Sequence, residues 1–111
     1  MITTSLEVVD GGESRILVPF GVCLEIDLPA TGGASYGWKL KNKPGPVLEK
    51  TGHSSDLVFN SPGSPSKERY LFEPLKSGEV DLVFVYKRPW EETVIKTAIV
   101  HVMVPKKARK R

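Results

Sequence analysis

Alternation with a period of two residues is the feature that most narrows what this chain can fold into. Val22, Leu24, Ile26 and Leu28 are separated by Cys23, Glu25 and Asp27, and Val80, Leu82, Phe84 and Tyr86 repeat the pattern. Successive side chains of a strand point to opposite faces, so each run reads as a strand with one face on a core and the other toward solvent. No stretch long enough for a helix sustains a helical period. The fold class is therefore all-β.

Shorter strand candidates lie at 6–9, 15–18, 38–41, 46–50, 56–59 and 69–72, separated by Gly, Pro, Ser and Asn clusters, and 94–104 reads as the longest strand. About seven or eight short strands at this spacing indicate an immunoglobulin-like two-sheet β-sandwich rather than parallel βαβ units. Trp38, at the start of what reads as a central strand, fits a buried core tryptophan. With 111 residues and the single cysteine Cys23, the chain is expected to fold by apolar packing without a disulfide, metal or cofactor. One domain is expected over 1–105, closed by Pro105, with 106–111 a basic, disordered tail.

The net charge of +3 comes from that tail, because Lys106, Lys107, Arg109, Lys110 and Arg111 supply 5 of the 16 basic residues. The remaining 11 stand against 13 acidic residues, a balance of −2 for the folded part. Nucleic acid is therefore not the expected partner, since phosphate binding would rest on the tail alone. No apolar run approaches the roughly 18 residues of a membrane helix. The opening Met1-Ile2-Thr3-Thr4-Ser5-Leu6-Glu7 has neither the basic start nor the apolar stretch of a secretory signal, leaving a cytosolic chain or one whose leader has been removed.

Three loops hold the unusual chemistry. Thr31, Gly32, Gly33, Ala34 and Ser35 lead to Tyr36 with small side chains, so this backbone can approach another surface closely. The second loop, 60–67, is turn-rich and contains Gly63, Ser64, Pro65 and Ser66. The third, 87–92, joins two strands that read as central and places Trp90 beside Arg88 and Pro89. Arg and Trp dominate binding hot spots, which makes Arg88 and Trp90 anchor candidates. In the competing structural account, Trp90 caps the end of the core and Arg88 pairs with Glu91 or Glu92. Tyr36 and Trp38 share a strand face, and with Leu40 continuing it they read as core.

Enzyme chemistry finds no support. Cys23 is mid-strand, His53 reads as a loop residue and His101 lies in the last strand, with no spacing of paired ligands or of a thiol and its base. Neither a small-molecule substrate nor a cofactor is expected.

The loops resemble those of the chagasin-like inhibitors of papain-family cysteine peptidases, over about residues 6–104. That family carries Asn-Pro-Thr-Thr-Gly-Tyr/Phe-x-Trp, then Gly-x-Gly-Gly, then Arg-Pro-Trp/Phe. Here the third motif is intact as Arg88-Pro89-Trp90, and the first aligns as Thr31 to Trp38, keeping Tyr36 and Trp38. The second keeps Gly63 and continues as Ser64-Pro65-Ser66. The resemblance implies an immunoglobulin-like sandwich that reversibly blocks a peptidase cleft. Gly33, Ala34 and Ser35 would be the wedge, and the other two loops would grip the sides. A looser wedge, with Gly32 and Ala34 for the family's proline and threonine, implies weaker inhibition through ordering entropy. The alternative is a non-inhibitory protein-binding module on the same sandwich.

Overall fold

The computed structural model describes residues 2–7, 12–30, 37–56 and 66–106. Eight strands lie among them: β1 (Ile2–Glu7), β2 (Glu13–Leu17), β3 (Val22–Ala30), β4 (Gly37–Leu40), β5 (Leu48–Asp56), β6 (Ser66–Pro74), β7 (Gly78–Lys87) and β8 (Lys96–Val104). They form two four-stranded sheets, in the orders β1-β3-β6-β5 and β2-β8-β7-β4. The edge strands β1 and β2 pair in parallel with β3 and β8, and every other pairing is antiparallel. The expected all-β sandwich is what the chain forms.

The two alternating runs supply the facing layers of the core. Leu24, Ile26 and Leu28 of β3 and Leu82, Phe84 and Tyr86 of β7 are fully buried. Tyr70 and Phe72 of β6 pack against Phe84, at centroid distances of 5.0 and 6.5 Å. Burying each such side chain contributes about 1.5–3 kcal/mol, so this inter-sheet layer dominates the stability of the domain.

Several local expectations are corrected. The second faces of the strands are not uniformly wet: Cys23 and Asp27 are buried, because β3 is flanked by β1 and β6 and Arg69 lies over Asp27 with a 2.8 Å ion pair. Leu48 to Lys50 of the segment expected at 46–50 and Asp56 of that expected at 56–59 belong to one strand, β5, which has a register shift between Lys50 and Gly52 and carries His53 within it; 57–59 lie outside the described residues. Pro46 is in a turn closed by Leu48 N donating to Pro44 O, since proline has no N–H for a ladder. β8 begins at Lys96 rather than Val94, making β7 the longer strand. Its pairing with β7 ends at Tyr86↔Lys96, and Val94 and Ile95 lie exposed in the connecting loop. β4, expected to be central, is an edge strand, yet Trp38 is buried because its face turns inward. The expectation that the third loop joins two central strands holds for β7 and β8, and β8 stops just before Pro105.

On the outer face of the second sheet, His101 sits between two carboxylates. Its Nε2 is 2.8 Å from Glu13 Oε1 and its Nδ1 is 2.6 Å from Asp81 Oδ1, tying edge strand β2 to β7 across β8. The hydrogen bond to Glu13, then that to Asp81, raises the imidazole above its usual range, opposed by the nearby Arg15. A folded-state value above the unfolded one gives stability that is complete below the unfolded value and is lost as pH rises through the folded one. The stability advantage of the native chain over His101→Gln, measured by urea denaturation, is therefore expected to be larger at about pH 5.5 than at about pH 8.5, and to shrink with added salt.

Candidate functional site

Strand register brings the ends of the three loops together. Ala30, before the first loop, pairs with Ser66, after the second, and Asp56, before the second, pairs with Lys67. Gly37, after the first loop, pairs with Lys87, before the third. All three loops therefore leave from one end of the sandwich. Thr31, Gly32, Gly33, Ala34, Ser35, Tyr36, Gly63, Ser64 and Pro65 lie outside the described residues. Ser66 is the first residue of β6.

Trp38 clamps the roots of the first loop. Its indole N–H donates to Pro29 O at 2.8 Å, closing the base of the loop one residue outside Ala30 and Gly37. Its backbone N–H donates to Glu68 Oε2 at 2.8 Å, and its carbonyl accepts from the Tyr70 hydroxyl at 2.8 Å. Its ring lies 4.9 Å from that of Tyr86, at the foot of the third loop. Glu68 is buried, and its other oxygen is 3.0 Å from His53 Nε2. The His53 ring stacks on Tyr70 at 4.1 Å. Burial, and then the Glu68 charge, push the Tyr70 hydroxyl up to about 12, so it stays protonated and able to donate.

The third loop is braced by Glu91. Its backbone N–H donates to Arg88 O at 3.1 Å, its carboxylate takes Arg88 Nη1 at 2.9 Å, and its carbonyl accepts from Lys87 Nζ at 2.8 Å. The expected Arg88–Glu91 pairing thus forms. Trp90 does not cap the core: it is 69% exposed, beside an exposed Pro89. A large aromatic held in water on a braced turn is available to a partner.

Cys23, near the start of β3 and far from the loop-bearing end, is not set up as a nucleophile. Burial, reinforced by Glu73 and Glu25, pushes the Cys23 thiol up, the opposite of what a reactive thiolate requires. His53 is committed to Glu68 and His101 to Glu13 and Asp81. Among the described residues no cluster of His, Cys, Asp or Glu is arranged to hold a metal ion.

Sequence reasoning missed Glu68, Tyr70 and His53 as supports of the first loop; for Glu91 it offered the pairing with Arg88 but not the bonds of its backbone to Arg88 and Lys87. A signal for Glu68 was present: Glu68, Tyr70 and Phe72 alternate in β6, which puts a carboxylate on the core face, where it requires partners.

A family model described as chagasin family peptidase inhibitor I42 matches residues 18–104. The chain belongs to the chagasin family. No curated protein sequence matches it. Among solved structures, the cysteine protease inhibitor EhICP2 from Entamoeba histolytica superposes with a TM-score of 0.75 at 18% identity, covering 93% of this chain and 96% of that one. Amebosin, determined in solution, gives a TM-score of 0.71 at 25% identity, with 94% and 98% coverage. PbICP-C, solved in complex with falcipain-2, gives 0.60 at 21% identity, with 94% and 99% coverage. This chain has the sandwich of those proteins, and its family is one of inhibitors rather than enzymes.

For this chagasin-family chain the clamp sets a measurable cost. Glu68→Ala leaves the Trp38 N–H unpaired in a buried site and is expected to lose about 1–3 kcal/mol in urea denaturation. Glu68→Gln keeps an oxygen for that N–H and is expected to lose less.

Proposed function

We propose that this chain is a reversible inhibitor of papain-family cysteine peptidases that blocks the active-site cleft with the three loops at one end of its sandwich. The observation that carries this reading is Trp90, exposed on a turn braced by Glu91, at the end where strand register gathers all three loops. Chagasin-family membership supports it, as does the complex of the structural relative PbICP-C with falcipain-2.

In this reading Gly33, Ala34 and Ser35 form the wedge that covers the catalytic cysteine. Gly63, Ser64, Pro65 and Ser66 form one grip, and Arg88, Pro89 and Trp90 the other. The clamp at Trp38 and the brace at Glu91 hold the loop roots before docking, which lowers the ordering cost of binding. Gly32 and Gly33 add backbone freedom to the wedge itself and reduce that gain. The chain acts by occupying the cleft and not by turning over a substrate. The inhibitory domain is 1–105, and the basic residues 106–111 take no part.

A titration of papain with the full chain is expected to abolish activity at micromolar protein or below, and undiminished activity there overturns the reading. Trp90→Ala is expected to raise the inhibition constant about thirty-fold, equivalent to about 2 kcal/mol, with an unchanged melting temperature. Deleting 106–111 is expected to leave the constant unchanged.

A further inference from the structure

Segment 37–43, directly after the first loop, carries Lys39, Lys41 and Lys43 at alternate positions and no carboxylate. This is a local basic excess in a part of the chain, 1–105, that has 11 basic and 13 acidic residues. Register fixes where these side chains go. Trp38 and Leu40 pair with the buried Tyr86 and Phe84, so Lys39, opposite Val85, and Lys87, opposite Gly37, take the outer face of the second sheet. Lys41 continues the row: its N–H donates to Val83 O at 2.7 Å, and Asn42 accepts from Val83 N–H and donates to Asp81 O.

Lys39, Lys41 and Lys87 line a concavity of about 340 Å³ together with Val85, Glu92 and Val94. Lys39 and Lys87 also border a larger one of about 610 Å³ that reaches Pro89 of the third loop. Glu92 is the one carboxylate in these two linings; Glu91 is held by Arg88. Among the described residues neither Lys39 nor Lys41 is in an ion pair.

We propose that Lys39 and Lys41, with Lys87, form a contact surface beside the loops that receives an acidic rim of the peptidase and accelerates docking. The inference rests on the inhibitor reading above, which supplies the occupant: a protein seated on the three loops brings the rim of its cleft over this flank. Charge complementarity then selects an acidic rim. Distance grades the effect. At about 3.3 Å of strand rise per residue, Lys39 and Lys41 stand about 7 and 13 Å beyond Gly37, against a screening length of about 8 Å at physiological salt, and Lys43 lies past the end of the β4 row. Lys39 therefore acts most strongly and Lys41 less, and Lys43, which lines neither concavity, gives a control that matches Lys39→Glu alone in charge.

The test measures association rates of the full chain with two papain-family peptidases, one with an acidic cleft rim and one with a neutral rim, at about 20 and about 300 mM salt. Lys87 is left intact because its ammonium holds the third loop. Lys39→Glu combined with Lys41→Glu is expected to slow association with the acidic-rim peptidase roughly tenfold at low salt and to flatten its salt dependence. Dissociation and melting temperature should hardly change, and Lys43→Glu should stay within about twofold of the native rate. Lys39→Glu alone, equal in charge change to Lys43→Glu, is expected to slow association more than that control does, and equal rates for these two overturn the surface while leaving the inhibitor reading intact. Failure of the native chain to inhibit either peptidase overturns that reading, and the peptidase as occupant with it. Retention on heparin that the double variant loses, with unchanged peptidase rates, gives the surface to a polyanion and also overturns the proposal.

Discussion

The carboxylate of Glu68, buried between the sheets, meets the backbone of Trp38 from the opposite layer, and the order of the loop-bearing end depends on that contact. Apolar packing holds the two sheets together but is non-directional, so on its own it leaves their relative placement loosely specified. The hydrogen bonds from Trp38 N–H to Glu68, from Trp38 Nε1 to Pro29 O and from the Tyr70 hydroxyl to Trp38 O are directional, and all three cross from one sheet to the other. They sit where the first loop leaves β3 and rejoins β4. Burying a carboxylate is costly without partners, and here the Trp38 N–H and His53 supply them.

The same clamp links the loops mechanically. Trp38 follows the first loop, its ring rests on Tyr86 before the third, and Glu68 lies two residues inside the strand that begins where the second ends. A distortion at one root is therefore felt at the others through rigid side chains rather than through flexible backbone. The third loop adds its own brace, with Glu91 holding Lys87 and Arg88 and leaving Trp90 to water. An exposed tryptophan contributes little to folding, and its placement makes sense as preorganised contact area.

Charge is distributed with the same asymmetry. The outer face of the first sheet is knitted by Arg69 to Asp27 and Glu25, and the edge strand β2 of the second is tied by His101. The first network lies away from β4, and the second reaches β7 beside it at Asp81; among the described residues Lys39 and Lys41 are in no ion pair. The structural charges thus tie β3 to β6 inside the first sheet and the edge strand β2 to the second, and Lys39 stands close to the first and third loops.

Residue order alone determined the all-β class, the inward faces of β3 and β7, the burial of Trp38 and the Arg88-Pro89-Trp90 turn, because period-two alternation and turn chemistry are local properties of the chain. Val94 and Ile95 misled for the same reason: their β-propensity is local, but a strand ends where its ladder does, and the pairing of β8 with β7 stops at Tyr86↔Lys96. Joining Leu48 to Lys50 and Asp56 in the single strand β5, and moving Trp38 to an edge, likewise depended on partners distant in sequence. The Trp38–Glu68–Tyr70 clamp, the exposure of Trp90 and the union of Lys39 with Lys87 on one face were decided by tertiary structure alone. Each requires knowing which strands lie side by side, and that is set by the closing of the two sheets over a shared core.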